Sequence, residues 1–453
     1  MSTRLFGTDG VRGLANRDAV TPFSVVRLGM AAADVLGQTG GTERPFALIG
    51  RDSRASGELL EHAMAAGLAG AGLDVRLAGV VPTPAVAHLA RSAGAAFGVV
   101  ISASHNPYED NGVKFFSANG GKLSDAEELA IETRYRDCSL GTSLPTGIGV
   151  GRTRALADAV ERYAEFAAST VPRLKGAPLP LVVVDCAQGA AFETTPRALQ
   201  LVGIRFEAHH ITPDGYNINA ACGSMHPECL AGLTRRHPGA IGLAHDGDAD
   251  RVLFCDEAGE LLDGDEVLAL VATHLLTKGQ LRENTVVATV MSNYGLEAAL
   301  AVKGGAVLRT GVGDRLVLDA MRQLDLNLGG EQSGHFIFRD HAPTGDGLIA
   351  ALQVLAIMAE TGQTLRELRT VLKKFPQVLR NVAVRERVPL AEVPVVQAAV
   401  TDAERRLAGR GRVLLRYSGT ERKVRLLLEG PDLGELTEAA DELERVVREE
   451  LGG

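Results

Sequence analysis

Two loops hold the residues whose types and spacing most clearly suggest chemistry. The first, Ser102-Ala103-Ser104-His105-Asn106-Pro107, follows the apolar run from Phe97 to Ile101. A run rich in β-branched residues reads as a buried strand, and open α/β sheets hold ligands at the carboxyl ends of such strands. Ser104 could be a nucleophile, a phosphate carrier or an ordinary strand-end cap. Ser102, two residues earlier, faces the same side and suits a supporting role. The second loop, His245-Asp246-Gly247-Asp248-Ala249-Asp250-Arg251, sets three carboxylates at alternate positions. Hard oxygen donors at this density suit Mg2+ or Ca2+. An EF-hand is excluded, because Arg251 stands where that loop needs glycine and both flanks read as strands. A solvated acidic turn is the bland alternative. Three repelling carboxylates followed by one arginine need a cation to hold them together.

Three further loops are weaker taken singly. Gly329-Gly330-Glu331-Gln332-Ser333-Gly334-His335 combines a carboxylate, an amide, a hydroxyl and an imidazole with glycines that allow close backbone approach. That mix suits sugar hydroxyls, although a plain turn reads almost as well. Arg416-Tyr417-Ser418-Gly419-Thr420-Glu421, with Arg425 beyond it, offers a hydroxyl-and-glycine turn between arginines, a pattern that holds phosphate. Of the cations around it, Arg405, Arg406 and Arg410 are expected to be solvated surface. Phe6-Gly-Thr-Asp-Gly-Val-Arg-Gly13 delivers Arg12 on a glycine-spaced loop. Lys114 returns on a short strand after the serine loop, where an exposed strand lysine is the dull reading.

The elements that must position these loops repeat. An apolar strand, a glycine-containing loop, an Ala/Leu-rich helix and a second apolar strand occur in that order at 46–78, 181–208 and 286–309. Each is expected to be a βαβ unit, giving three related α/β domains. The last eighty or so residues alternate differently and predict a small α+β module, with strand-like runs at 413–416 and 423–428 between helical stretches at 391–407 and 432–451. A connector rich in Gly, Thr and Pro spans 141–151, and a helical stretch from Ala155 is expected to open the second domain. The expected boundaries are 1–152, 153–257, 258–373 and 374–453.

Composition narrows the class. A chain of 453 residues exceeds one core. A net charge of −9 argues against a nucleic-acid binder. The five cysteines form no C-x-x-C pair, which fits reduced thiols in the cytoplasm and not a disulfide frame or zinc site. The N-terminus lacks a signal-peptide core and no apolar run reaches membrane-spanning length, so neither export nor a membrane partner is expected.

Together the five loops resemble the α-D-phosphohexomutases over nearly the whole chain. The carriers are FGTDGVRG, ISASHNPYEDNGVKFF, DGDADR, GEQSGH and RYSGT. The resemblance implies three related α/β domains plus the α+β domain in a heart-shaped molecule with a central cleft. It implies that Ser104 carries a phosphoryl group and that Asp246, Asp248, Asp250 and a phosphate oxygen on Ser104 hold Mg2+. Arg12, Lys114 and Arg251 neutralise charge, and His105, Lys114 and His335 are the candidates for proton handling. Glu331, Gln332 and Ser333 meet the sugar, and Arg416, Ser418, Gly419, Thr420 and Arg425 grip a phosphate. The opening motif and Gln332 point to the branch that interconverts glucosamine 6-phosphate and glucosamine 1-phosphate through a 1,6-bisphosphate, feeding UDP-N-acetylglucosamine synthesis. A cytoplasmic homodimer acting on a small hexosamine phosphate is the implied setting. A mutase of glucose or mannose phosphates is the nearest rival, followed by a phosphatase using Asp246 or Asp248 as nucleophile and by a non-enzymatic sugar-phosphate sensor. Departures from the family pattern are Tyr417 and Arg422 at positions where prolines are common, and Ala249 in place of a frequent glycine.

Overall fold

The phrase that occurs three times in the sequence folds three times, as parallel strands extended on one side by an antiparallel hairpin. The computed structural model describes residues 4–7, 9–37, 44–407, 410–418 and 422–452, which divide into two compact units. The first comprises 1–291 and 307–370. Its six-stranded sheet runs Val11–Leu14, Asp110–Ser117, Phe97–Ile101, Phe46–Arg51, Asp74–Val80 and Thr153–Ala155. The last four strands are parallel, while Asp110–Ser117 returns antiparallel to Phe97–Ile101. A five-stranded sheet runs Leu261–Leu262, Val252–Cys255, Ile241–His245, Val182–Asp185 and Phe206–His209, with the last three strands parallel. A four-stranded sheet repeats the plan, with Thr285–Thr289 parallel to Leu328–Gly330 and Phe336–Phe338 antiparallel.

Continuous apolar runs explain these central strands. Phe97–Ile101, Val182–Asp185 and Ile241–His245 are buried at every residue, as parallel strands covered on both faces require. The helices start where local chemistry stops the backbone from continuing as strand. Ser124 with Glu127 and Asp263 with Glu266 form capping boxes that satisfy otherwise orphaned N–H groups. Such caps stabilise a helix by about 1 kcal/mol. One consequence governs the site. In all three sheets the connection from a parallel strand into its antiparallel neighbour is a loop singled out for its chemistry: 102–109, 246–251 and 331–335.

The second unit comprises 292–306 and 371–453. Its antiparallel sheet runs Gln377–Ala383, Lys423–Glu429 and Arg412–Tyr417, and helices Pro394–Leu407 and Leu433–Leu451 bury Val396, Leu407, Leu436 and Leu443 against Val424, Leu426 and Leu428.

Three local expectations shift. The segment from Ala155 does not open a helix. Thr153–Ala155 pairs with Val75–Leu77, satisfying the edge of the first sheet, and the helix begins at Ala159. The helix expected from Ala391 begins at Pro394, because Pro suits the first helical position and the residues before it turn as a 3-10 segment. Arg12 lies on a strand, paired with Gly112, and not on a free loop. Among the described residues, no single helix is long and apolar enough to cross a membrane.

Candidate active site

Ser104 leaves its strand with φ +52°, in the left-handed region that costs a non-glycine residue about 1 kcal/mol or more. The turn aims its side chain across to the second sheet. Its Oγ donates to Asp246 at 2.7 Å and lies 3.3 Å from Nδ1 of His105. Ser102 works from beneath: its hydroxyl accepts from the Ser104 N–H at 2.9 Å and donates to Asp52 at 2.6 Å.

The Asp246, Asp248 and Asp250 carboxylates converge, with one oxygen of each within 4.8 Å of the others. All three are buried, and Oδ1 of both Asp248 and Asp250 has no hydrogen-bond partner. Buried oxygens of this kind are costly unless something binds them. The loop reaches this shape through Ala249 at φ +55°, where the more frequent glycine would carry no steric cost. Lys114 is buried against the cluster, its Nζ 2.8 Å from Asp248, 3.0 Å from Asp9 and 4.0 Å from Asp250. Thr83 donates to Asp248 at 2.6 Å.

Electrostatics divides the carboxylates. Burial, then the charges of Asp250 and Asp248, push Asp246 up to about 8. Burial also acts to raise Asp248, but Lys114 and Thr83 outweigh it and hold Asp248 below the usual carboxylate range. Lys114 is raised: burial opposes its charge, and Asp248, Asp9 and Asp250 overcome that penalty. These carboxylates favour its ammonium form. His105 is lowered by burial and then by Arg251 and Arg12, leaving a neutral imidazole beside Ser104. Burial acts against the charged form of His335, yet Asp250 and Asp314 lift it to about 9.

Ser104, His105, Asp250 and His335 line a cavity of about 460 Å3 together with Arg12, Arg251 and Glu331. Gln332 and Ser333 do not line it. The Gln332 amide donates instead to Asp265 at 2.9 Å, at the start of helix Gly264–Lys278. Glu331 accepts from the Gly313 N–H at 3.0 Å, which ties the loop to its neighbour at the rim.

Within the second unit, Arg416 and Arg425 stand directly opposite each other on antiparallel strands. Arg425 donates to the Ser418 hydroxyl at 3.4 Å, and Arg387 to the Ser418 carbonyl at 2.7 Å. Gly419 and Thr420 lie outside the described residues. Arg405, Arg406 and Arg410 are exposed and each pairs with a surface carboxylate.

Several contributors escape a reading by motif. Asp9 pairs with Arg12, Lys114 and Lys122, and its carboxyl is held well below the usual range because these cations outweigh burial. Its place between glycines in FGTDGVRG was the available signal. Asp314 lines the same cavity within a comparable Gly-Val-Gly-Asp turn. Thr83, Arg54 and Asn219 carried no local signal, since the loops they bond, at Asp248 and at the Ser104 and Asn106 carbonyls, lie far away in sequence.

Comparisons with known proteins agree along the whole chain. Models of the phosphoglucomutase/phosphomannomutase family match in four parts: alpha/beta/alpha domain I at 3–140, domain II at 161–259, domain III at 263–375 and the C-terminal domain at 379–446. The chain is 47% identical over 460 residues to a phosphoglucosamine mutase from Anaeromyxobacter dehalogenans, covering 100% of both chains. It is 48% identical over 445 residues to one from Desulforamulus reducens, covering 98% of this chain and 99% of that one. A phosphoglucomutase/phosphomannomutase family protein from Burkholderia thailandensis, 24% identical, shares the fold with a TM-score of 0.81 over 98% of this chain and 97% of that one.

Proposed function

Since the chain belongs to the phosphoglucosamine mutases of the phosphoglucomutase/phosphomannomutase family, isomerases that move a phosphoryl group within a sugar phosphate, we propose that it does so with Ser104 as the phosphoryl carrier. The observation carrying this reading is the Ser104 hydroxyl, 2.7 Å from Asp246 at the edge of a three-carboxylate cluster.

Phosphoryl transfer needs positioning and charge neutralisation more than covalent help from the protein. Phosphorylated Ser104 would give its phosphoryl group to O1 of glucosamine 6-phosphate: the P–Oγ bond breaks, a P–O1 bond forms and the O1 proton leaves. His105, neutral and beside Oγ, is the base best placed to take that proton. His105 passes that proton to the departing Oγ; the 1,6-bisphosphate then reorients, Oγ returns its proton to His105 as the P–O6 bond breaks and a P–Oγ bond forms, and His105 protonates the leaving O6. Lys114, Arg12 and Arg251 offset the charge on the moving group, and cationic His335 adds to them. Glu331 faces the cavity where sugar hydroxyls would lie, with Gln332 and Ser333 shaping its loop. Arg416, Arg425 and Ser418, with Gly419 and Thr420, would grip the phosphate that is not reacting.

Asp246, Asp248 and Asp250 fit a divalent metal, since two of their buried oxygens have no hydrogen-bond partner and the donors are all hard. Mg2+ bound there would draw charge from the phosphoryl oxygens. We read the segments 1–152, 153–257, 258–373 and 374–453 as the four parts that each contribute one loop. A cytoplasmic dimer belongs to the same reading on family grounds alone.

Intact-mass measurement with phosphosite mapping, combined with Ser104→Ala, tests the carrier. A phosphoryl group elsewhere, or turnover retained by S104A with release of inorganic phosphate, would replace it with an aspartate nucleophile. Turnover of glucosamine 6-phosphate, glucose 1-phosphate and mannose 1-phosphate on one preparation tests the substrate. Preference for either of the last two by more than tenfold would reject it.

A further inference from the structure

The serine loop is gripped from two sides by residues that touch neither the carboxylate cluster nor the cavity. Arg54 is fully buried, and it heads the fully buried side chains by volume among the described residues. Its guanidinium is paired with Asp52 at 2.8 Å and donates to the carbonyls of Ser104 at 2.8 Å, Asn106 at 2.8 Å and Asp110 at 3.0 Å, and also to that of Pro107. From the second sheet, Asn219 donates through Nδ2 to the same Ser104 carbonyl at 2.9 Å and to that of Asn106 at 3.3 Å. Gly247, inside the carboxylate loop, closes the contact. A Cβ there would sit 2.5 Å from the Ser104 carbonyl oxygen and 2.8 Å from Asn219 Nδ2. Asp52 completes the circuit, since it also accepts from Ser102, which accepts from the Ser104 N–H.

The grip coincides with strain. Ser104, Asn219, Ala187, Gln188, Ala221 and Ala249 all have φ between +50° and +58°, and the Asn219 N–H donates to the Ala187 carbonyl at 2.9 Å. Non-glycine residues stay in that region only where their surroundings over-determine them. Fixing the Ser104 carbonyl with two donors and its N–H with an acceptor, the Ser102 hydroxyl, leaves the residue no extended alternative, and it is this conformation that aims Oγ at Asp246.

We propose that Arg54 and Asn219 are positioning residues for phosphoryl transfer, holding the Ser104 backbone in its left-handed turn so that one Oγ position serves both half-reactions. The inference rests on the reading of Ser104 as phosphoryl carrier. A misplacement of about 1 Å costs on the order of 100-fold in rate, so loosening the grip lowers kcat in both directions and leaves sugar-phosphate binding intact. It also exposes the phosphoserine to water.

Asn219→Ala and Arg54→Lys in the full-length chain, with Mg2+ present, test this. N219A is expected to lower kcat 10- to 100-fold in both directions with KM within threefold of wild type. It should also lose phosphoryl groups from pre-phosphorylated enzyme to water at least fivefold faster. Asn219→Ser, whose hydroxyl can still donate, should recover part of kcat. R54K keeps the charge but not the fork and should fall further; if it does not fold, N219A decides alone. An N219A enzyme with kcat within twofold of wild type would overturn the proposal, as would a loss of activity explained by KM or by the folded fraction. Ser104→Ala is the separate control: if it retained turnover, the carrier reading itself would fail, whatever N219A did.

Discussion

The ammonium of Lys114 lies 2.8 Å from Asp248 and 3.0 Å from Asp9, so one buried cation joins the first strand's approach loop to the carboxylate loop of the second sheet. Breaking a buried pair by removing one partner typically costs 3–5 kcal/mol, because the other charge is left uncompensated. Lys114→Met is therefore expected to unfold at clearly lower denaturant than wild type in chelator. Mg2+ should restore part of that loss, since a bound cation replaces the missing charge. Equilibrium denaturation with and without Mg2+ makes the comparison.

If the carboxylate cluster holds a divalent cation as proposed, that cation is a stabilising ligand. At 100 times its Kd, such a ligand adds about 2.7 kcal/mol to the folded state. Chelation should abolish turnover and lower the thermal midpoint, and Mg2+ should reverse both. Asp248→Asn should lose the Mg2+-dependent rise in midpoint, as read by calorimetry.

Arg416 and Arg425 are register partners on neighbouring strands, which sets two forked guanidinium groups close enough for one phosphate. Arg425→Ala is expected to raise KM for the sugar phosphate about 10- to 100-fold with a smaller change in kcat, the mark of lost uniform binding. Inorganic phosphate should raise the thermal midpoint of wild type and leave that of the variant nearly unchanged.

His88 supplies a pH dependence remote from the reacting groups. Its ring stacks on Phe166 with centroids 3.6 Å apart, and burial, then Arg91 and Arg162, lower it to about 4. The unfolded chain takes up that proton near pH 6.5, whereas the folded chain refuses it until about pH 4. The stabilisation is complete above pH 6.5 and is lost as pH falls toward 4. Discounted for partial exposure, the loss amounts to about 1–2 kcal/mol. Thermal midpoints at pH 7 and pH 4.5 should differ less in His88→Phe than in wild type.

Much of this protein was legible in its residues. Apolar runs bounded by glycine loops determined three strand–helix–strand repeats, because burial on both faces demands uninterrupted hydrophobicity. DGDADR pointed to a candidate cation site, since three alternating carboxylates repel one another, and the fold does bring one oxygen of each within 4.8 Å of the others. Ser104 stood out because open α/β sheets hold ligands at the carboxyl ends of their strands, although the position alone left its role open. Tertiary structure decided what depends on long-range contact. It turned Gln332 away from the cavity onto Asp265, a bond no local pattern encodes. It paired Lys114 with Asp248 and Asp9, making a lysine that reads locally as an exposed strand residue into a buried cation. It brought Arg54 and Asn219 onto one carbonyl, where backbone groups far apart in sequence are satisfied by side chains whose partners only the packed chain supplies.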